Sequence, residues 1–481
     1  MILLKYQLCK VNKRFIYRGI VVESKIRDFF IGRIWTRNYT PFPQDKIEKY
    51  IEQEFFNIKP GISFIRKGLF QRPYYICHRC QNTNQYEFVH YNCARCEKVC
   101  VYCRHCINMG RVTSCTDLLT WNGPEPHHRL SHELQWEGTY TEPQLEASQQ
   151  LKESIKTGRN HLIFAVCGAG KTEILFPAVQ FALKQGKRVC IATPRTDVVL
   201  ELYPRFQKVF PKTNLHALYG NAPIQQGFSQ LVIATTHQLY RFENAFDVVI
   251  VDEADAFPYT YDRALQQAVI KVKRKDAPIA LVTATPSAQI VSQVKREKWG
   301  VSFIPRRYHG YPLPVPRFES LWSYDKKMQK GKIPSKLEEW TKARLRNKEP
   351  FLIFFPTIQL MQKATPLFQL LDNRIESVHA EDVERKSKVL QLRQEEVPGL
   401  LTTTILERGI TIKNIQVAVV GAESKIFTSS ALIQISGRVG RNAQFPKGDI
   451  VFFHHGITAE MDEARNEIIR LNKEGFGEES K

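Results

Sequence analysis

The sequence has 481 residues, 43% of them apolar, which is enough to bury several cores and predicts three or four domains. A formal net charge of +21 argues against a weakly charged surface and favours a polyanionic partner, with nucleic acid first and anionic lipid second. The apolar run at the start is too short for a secretory signal, and no uninterrupted stretch approaches a membrane span, so a soluble intracellular protein is expected.

Residues 1–76 form a predicted basic N-terminal region. This region carries 15 Lys or Arg against six Asp or Glu. Aromatic residues are interleaved with the charges, namely Phe29, Phe30, Trp35, Tyr39, Phe55 and Phe56. Two interpretations stay open. The region is either a groove that follows phosphates and stacks bases, or a small domain with an aromatic core and a solvated charged face.

A cysteine-rich segment follows, and residues 77–115 are predicted to form a zinc module. Its seven closely spaced thiols are Cys77, Cys80, Cys93, Cys96, Cys100, Cys103 and Cys106. Two CxxC pairs complete one tetrahedral zinc site. Seven thiols exceed one site but fall short of two, so either one pair is spare or a second site is completed by His78, His90, His105 or Cys115. Closed sites of this kind are structural, and they are expected to present arginines to DNA, such as Arg79, Arg95 and Arg104.

From residue 136 onward, short apolar runs alternate with helical stretches, which predicts two α/β units with buried parallel strands. We assign residues 136–307 to a first domain, 308–320 to a Pro- and Gly-rich linker and 321–470 to a second domain. The strands predicted in the first domain are 162–166, 188–192, 230–234, 247–251 and 279–283, and those in the second are 351–355, 399–403, 417–421 and 449–453.

The stretch AVCGAGKTE at 165–173 follows the first predicted strand and has the form of a phosphate-binding loop. Amides of a tight turn cradle phosphate oxygens, Lys171 reaches the β and γ phosphates, and the Thr172 hydroxyl holds Mg²⁺. The first position of the usual pattern is Gly, and Ala165 replaces it with another small residue. The predicted loop also includes Gly168, Ala169 and Gly170.

The stretch IVDEADAF at 250–257 follows another predicted strand. Carboxyl ends of parallel strands meet at the ligand-binding edge of such a sheet. Asp252 is therefore expected to hold Mg²⁺ through water, and Glu253 to orient and deprotonate the water that attacks the γ phosphate.

The second unit supplies QISGRVGR at 434–441. Arg438 and Arg441 are three residues apart, which on a helix would point both guanidinium groups to one side. Across a cleft they are expected to stabilise charge on the transferred phosphoryl group, as arginine fingers do.

The ordered set TEPQ, GAGKT, TPR, DEAD, TAT, ERGIT and QISGRVGR over residues 136–460 resembles the superfamily two helicases and translocases. The resemblance implies two RecA-like domains with ATP between them and nucleic acid across their tops. It implies a nucleotide-binding role for Gln144, Gly409, Thr411 and Gln434, coupling by Thr283 and Thr285, and nucleic-acid contacts by Arg195, Thr235, Thr236 and Thr357.

Two departures favour DNA over RNA. RNA helicases that carry DEAD generally have SAT and a histidine at the positions held here by TAT and Gln434. The stretches CVYCRHCINMGR, TPRTDVVLEL and YHGYPLPVP further resemble the ComFA family of late-competence ATPases. That resemblance implies a DNA-stimulated ATPase with ATP, magnesium and zinc, at the cytoplasmic face of the membrane. Such an ATPase is implied to draw single-stranded DNA through the ComEC channel, with ComFC and DprA as associates.

Two other functions stay open at this stage. One is a PriA-like replication-restart helicase, which also combines cysteine pairs with a related motor. The other is an adaptor that uses the zinc module and the basic region to recruit proteins, with its nucleotide site as a switch.

Overall fold

The computed structural model describes residues 14–17, 20–66, 72–125, 132–220, 222–408 and 411–477. The N-terminal part contains β1 (Arg14–Tyr17), β2 (Ile20–Glu23), α1 (Ser24–Phe30), β3 (Ile34–Thr36), α2 (Gln44–Glu52), β4 (Phe56–Pro60), β5 (Ile62–Ile65), β6 (Tyr74–Cys77), β7 (Phe88–Asn92), β8 (Val99–Cys103) and β9 (Asp117–Trp121).

The aromatic residues of the N-terminal region form a core. Phe29 and Phe30 are fully buried, and Trp35, Phe55 and Phe56 are nearly so. The rings of Phe29 and Phe30 meet edge to face with centroids 5.0 Å apart, the geometry that aromatic pairs favour. Of the two interpretations left open by the sequence, the aromatic core is the one observed for these five residues.

The cysteine-rich segment is an insertion within this N-terminal domain. Strand β9 lies between β3 and β4 in an antiparallel sheet, although β9 follows the cysteines and the other two precede them. Two hairpins, β5 with β6 and β7 with β8, carry the cysteine segment between β4 and β9. The module is therefore anchored to the N-terminal sheet at both of its ends.

The first α/β domain is built on a seven-stranded parallel sheet in the order β12-β13-β11-β14-β15-β10-β16. Its elements are α3 (Glu142–Thr157), β10 (His161–Ala165), α4 (Lys171–Lys184), β11 (Val189–Thr193), α5 (Thr196–Val209), β12 (Leu215–Leu218), β13 (Leu231–Thr235), β14 (Val248–Asp252), α6 (Arg263–Val272), β15 (Ile279–Thr283), α7 (Ala288–Arg296) and β16 (Gly300–Ile304).

The second α/β domain has a six-stranded parallel sheet in the order β17-β22-β21-β18-β20-β19. Its elements are β17 (Arg317–Ser320), α8 (Tyr324–Gln329), α9 (Ser335–Arg346), β18 (Phe351–Phe354), α10 (Ile358–Gln369), β19 (Glu376–Val378), α11 (Arg385–Arg393), β20 (Gly399–Thr402), β21 (Gln416–Val420), α12 (Ser429–Ser436), β22 (Ile450–His454) and α13 (Ala459–Phe476).

The predicted fold class, two parallel-sheet domains behind a cysteine-containing N-terminal region, is confirmed. The segment predicted as a linker ends in β17, which pairs with β22 at the edge of the second sheet. Helix α13 extends to Phe476 and holds this connection through the Asn472 side chain, which bonds both the amide and the carbonyl of Leu313. Among the described residues, no helix combines the length and apolarity needed to cross a bilayer.

Candidate active site

The predicted phosphate-binding loop joins β10 to α4. Gly168 and Gly170 have φ angles of 84° and 75°, in the left-handed region that favours glycine. A Cβ on Gly170 would lie 2.3 Å from Nε2 of Gln144, so a larger residue would displace that side chain. Helix α4 begins at Lys171 directly after the loop, and a helix N-terminus favours bound anions.

Gln144 in the first turn of α3 supports this loop. Its Nε2 donates to the Ala169 carbonyl at 2.8 Å, and its Oε1 accepts from the Thr141 amide at 2.9 Å. The rings of Trp136 and Tyr140, with centroids 4.2 Å apart, line the same cleft. Sequence reasoning missed these two rings because an aromatic pair ahead of a helix belongs to no motif.

The acidic pair leaves the sheet at the end of β14. Asp252 is the last residue of that strand and is buried. Burial raises the pKa of Asp252 to about 6, while the charge of Lys171 opposes this shift. Glu253 has a φ of 56°, a strained conformation that non-glycine residues adopt mainly at functional sites. A desolvated carboxylate beside a phosphate-binding loop is a suitable ligand for Mg²⁺, which prefers oxygen donors.

Thr172, the other predicted magnesium ligand, lines the same cleft. Its hydroxyl accepts a hydrogen bond from Arg205 of α5 at 3.2 Å, and Arg205 also pairs with Glu173. The oxygens of Thr172 and Asp252 thus form a donor set that fits a hard cation next to phosphate.

Asp255, the last letter of DEAD, connects the two α/β domains. Its carboxylate accepts hydrogen bonds from Thr283 and Thr285 within the first domain. From the second domain it receives Arg408. Thr285 also lies 2.7 Å from the Ser430 hydroxyl across the interface. The TAT motif is thereby linked to both the acidic motif and the facing domain.

Arg408 is a site residue that sequence reasoning missed. It is 2% exposed and pairs with both Glu253 and Asp255 across the domain interface. Burial lowers the pKa of Arg408 to about 10, so it stays charged at neutral pH. An arginine within ERGIT, beside residues already assigned to the site, was the available signal.

The positions of Arg438 and Arg441 differ from the expected helical arrangement. Helix α12 ends at Ser436, so both arginines follow the helix, and the expectation of one shared helical turn was wrong. Gly440 has a φ of 68°, a left-handed conformation that ends helices. Both arginines nevertheless line the cleft. Burial, with the charge of Arg441, lowers the pKa of Arg438.

Arg307 connects the arginine turn to the first domain. Its guanidinium donates to the carbonyls of Gly440 and Val439 at 2.6 and 2.9 Å. The amide of Tyr308, the next residue, donates to the Gly168 carbonyl at 3.0 Å. The connection between the domains therefore touches the phosphate-binding loop and the arginine turn at once. Its role had no signal in the sequence.

These elements surround one cleft of about 580 Å³. The predicted residues Ala165 and Ala169 are buried in the frame of the loop, and Gly409 lies outside the described residues. The other predicted nucleotide-site and catalytic residues all line the cleft, namely Gln144, Gly168, Gly170, Lys171, Thr172, Asp252, Glu253, Thr411, Gln434, Arg438 and Arg441.

The residues predicted to contact nucleic acid lie near the carboxyl ends of the strands. Thr235 ends β13, and the buried Thr236 follows it. Thr357 follows β18 and caps α10. Arg195 donates to the Ile405 carbonyl of the second domain at 2.6 Å. Contact of these four residues with nucleic acid stays a prediction.

The cysteines form two groups of four. One group is Cys77, Cys80, Cys103 and Cys106, and the other is Cys93, Cys96, Cys100 and Cys115, with all sulfurs of a group within 4.8 Å of one another. Sulfurs around tetrahedral zinc are about 3.8 Å apart, given a Zn–S bond of about 2.3 Å. The Cys77–Cys106, Cys80–Cys103 and Cys93–Cys115 distances are 3.8, 3.7 and 3.7 Å. Both donor sets fit zinc, and Cys115 is the eighth thiol.

The three histidines that were candidate ligands lie outside these groups. His78 bonds Ser63, His90 bonds Tyr75 and His105 bonds Tyr240. Arg79 was expected to face DNA but is buried, and its guanidinium donates to the carbonyls at 106, 109 and 110. That expectation was wrong because the side chain supports the cysteine turn instead.

A nucleotide-sized cleft between two parallel sheets, with lysine and carboxylates on one side and arginines on the other, defines an ATP-hydrolysing enzyme of the helicase class. In agreement, residues 141–294 match the DEAD/DEAH box helicase family and residues 334–443 match the helicase conserved C-terminal domain. Residues 17–120 match the Competence protein ComFA N-terminal domain. The chain belongs to the ComFA family.

Individual relatives agree with this assignment. The chain is 41% identical over 451 residues to Competence protein ComFA of Bacillus subtilis (strain 168), spanning 94% of this chain and 96% of that protein. It is 36% identical over 376 residues to Competence protein ComFA of Streptococcus pneumoniae (strain ATCC BAA-255 / R6), spanning 78% and 86%. It is 22% identical over 367 residues to the transcription-repair-coupling factor of Bacillus subtilis, spanning 72% of this chain and 30% of that protein. The resemblance found in the sequence is confirmed.

Arg408→Gln is expected to lower ATP turnover about 10²-fold or more, because two buried carboxylates lose their only shared cation and the domain interface weakens. Steady-state phosphate release at saturating ATP measures this. Arg385→Gln is the matched control, since Arg385 also pairs across the domains, with Asp197 at 3.1 Å. Equal turnover in the two variants would contradict the role given to Arg408.

Proposed function

We propose that this enzyme is an ATP-dependent motor that moves single-stranded DNA across the cytoplasmic membrane during natural transformation. The observation that carries the proposal is the shared cleft, which is lined by Lys171 and Glu253 from one domain and by Arg438 and Arg441 from the other. A nucleotide bound there touches both domains, so its hydrolysis changes the contact between them.

In this proposal the phosphate-binding loop and Lys171 hold the phosphates of ATP, and Thr172 and Asp252 hold Mg²⁺. Bound there, the ion neutralises charge on the β and γ phosphates. Glu253 accepts the proton of the attacking water, and its pairing with Arg408 keeps its carboxylate ionised. Arg438 and Arg441 stabilise charge on the γ phosphoryl group.

Single-stranded DNA is the proposed polymer. The net charge of +21 supplies sequence-independent attraction to phosphate. The proposed path crosses the carboxyl ends of both sheets, where Arg195, Thr235, Thr236 and Thr357 lie. TAT at 283–285 and Gln434 favour a DNA strand over RNA, because they depart from the pattern of RNA helicases that carry DEAD.

Each cysteine group is proposed to hold one zinc ion in a closed, structural site. Four thiolates leave no open position for a substrate. The ions would fix the two hairpins that the N-terminal sheet anchors, and loss of zinc would unfold this module locally.

The place of action is proposed to be the cytoplasmic face of the membrane, beside the ComEC channel, with ComFC and DprA as associates. The basis is membership in a family whose curated relatives carry the name Competence protein ComFA. A strongly basic chain is also attracted to anionic lipid headgroups, which would keep the motor close to the incoming strand.

ATP turnover of the purified enzyme is expected to rise on addition of single-stranded DNA at low salt. Glu253→Gln is expected to retain ATP binding while hydrolysis falls about 10²- to 10⁴-fold, because a general base is lost. Equal turnover with and without DNA would contradict the motor. A strand-separation assay on branched forks distinguishes a PriA-like helicase, which would unwind them.

Zinc content should be two ions per chain, measured by elemental analysis of the purified protein. Cys115→Ser is expected to reduce it to one, because only the second group includes this thiol. His105→Gln is the control and should retain two. A single ion in the unaltered protein, or no loss in Cys115→Ser, would overturn the two-site assignment.

Disruption of the gene is expected to abolish internalisation of labelled DNA while surface binding stays normal. Complementation with the unaltered gene should restore internalisation, and Lys171→Ala should not, since the variant cannot hold the phosphates of ATP. An adaptor that uses only scaffold contacts would tolerate Lys171→Ala, so restoration by that variant would count against a motor.

A further inference from the structure

A second cavity, of about 660 Å³, lies between the N-terminal domain, the cysteine module and the first α/β domain. The N-terminal domain contributes Arg33 and Trp35 to its wall. The cysteine module contributes Asn108 and Met109, and the first α/β domain contributes Thr235 and Arg241, among others. None of these walls belongs to the ATP cleft, and nothing in the proposed function uses the cavity.

The cavity is basic and has no acidic lining residue among those described. Arg33 is 4% exposed. Among the described residues, neither Arg33 nor Arg241 has a carboxylate within 4.0 Å. Asp262 approaches His105 at the edge of the cavity instead, at 3.6 Å. Two guanidinium groups therefore face a shared space without a counterion.

The electrostatics of Arg33 agree with this geometry. Burial lowers its pKa to about 9, and the nearby charges of Arg188 and Arg241 act in the same direction. Like charges in a poorly solvated space repel, and an anion between them would relieve the repulsion. Arg33 keeps its proton at neutral pH even so.

Both guanidinium groups are held in position by rings. Arg33 lies 4.3 Å from the ring centroid of Phe29, and Arg241 lies 5.1 Å from that of Trp35. Arg33 Nη2 donates to the Gln225 carbonyl at 2.9 Å, and Arg241 Nε donates to Gln238 at 2.8 Å. In the part of the chain that the structure describes, the terminal nitrogens of Arg241 have no hydrogen-bond partner. Stacked, pre-oriented arginines lose little freedom on binding phosphate.

The cavity adjoins the proposed path of the DNA strand. Thr235 lies in its wall, as do Pro194 and Thr196, the residues on either side of Arg195. Strands β11 and β13 end at this edge of the sheet. Two buried polar atoms nearby, Oε1 of Gln225 and Oγ1 of Thr236, have no hydrogen-bond partner among the described residues. A polar ligand at this edge would satisfy such atoms.

We propose that this cavity binds one nucleotide unit of the DNA strand, with its phosphate between Arg33 and Arg241 and its base against Tyr219 and Met109. This inference rests on the proposed function, because it assumes a single-stranded DNA substrate. It also gives the cysteine module a definite role. The module forms one wall of the strand's path, so its zinc sites fix the width of that path. The N-terminal domain becomes part of the DNA-binding surface through two residues beside its core.

Arg241→Gln and Arg33→Gln test the proposal against Arg296→Gln, an equal charge change on α7 where Arg296 is 71% exposed. The measurement is the anisotropy of a fluorescein-labelled oligo(dT) titrated with each protein over a range of salt concentrations. A lost phosphate contact on a single strand lowers the slope of log affinity against log salt by about 0.7. That reduction is expected in each cavity variant and not in Arg296→Gln. Slopes equal to that of Arg296→Gln would overturn the proposal.

Photo-crosslinking provides a readout that needs no variant. An oligonucleotide that contains 5-iododeoxyuridine is irradiated with the intact protein, and the attached peptides are mapped. Attachment within residues 105–109 or 219–242 supports the cavity, and attachment confined to other segments overturns it. Competition by millimolar inorganic phosphate or deoxythymidine monophosphate, as effective as competition by unlabelled strand, would also overturn it, because the cavity would then be a site for small anions.

Failure of this inference can be told apart from failure of the proposed function. If DNA stimulates ATP turnover but the cavity variants keep the slope of the control, the motor stands and the cavity assignment falls. If single-stranded DNA neither binds the unaltered protein nor stimulates its ATP turnover, both fall together.

Discussion

The geometry of the active site depends on one buried ionic contact, the pairing of Arg408 with Glu253 and Asp255 across the domain interface. Removing one member of a buried ion pair typically costs about 3–5 kcal/mol, because the other charge is left unpaired. Separating the whole pair into water is far less costly, because both charges regain hydration. An interface of this kind is firm when closed and can still open, whereas an apolar interface of the same area would resist opening. A motor that alternates between two arrangements of its domains needs the first property and the second.

The interdomain connection follows from the same requirement. Arg307 and Tyr308 bond the arginine turn and the phosphate-binding loop respectively. A nucleotide that moves either of these elements therefore acts directly on the segment about which the domains would rotate. The approach of Gly437 to Cys167 is equally close, since a Cβ on that glycine would lie 2.4 Å from the Cβ of the cysteine. Sequence reasoning assigns Cys167 no role, but this residue lies at the contact between the two domains.

The central strands of both sheets were predictable from the sequence because they are continuous apolar runs buried on both faces. All four strands of these sheets that the sequence analysis missed are edge strands, namely β12, β16, β17 and β19. Three of them are partly exposed, such as β17, which has no buried residue, so their sequences lack the apolar run that identifies a parallel strand. The cleft residues were found because phosphate chemistry requires particular residue types at fixed spacing. Arg307 and Arg408 were missed because their contacts join positions more than 130 residues apart. The grouping of Cys100 with Cys115, away from Cys103 and Cys106, likewise depends on the hairpins and not on spacing.

The central claim is that one nucleotide is held by both domains at once. A structure of the enzyme with Mg²⁺ and a non-hydrolysable ATP analogue tests it most directly. The account predicts that the γ phosphate lies within hydrogen-bond distance of Lys171 from the first domain and of Arg438 or Arg441 from the second. An analogue bound by the first domain alone, with both arginines directed away from it in a closed arrangement of the domains, would contradict the account.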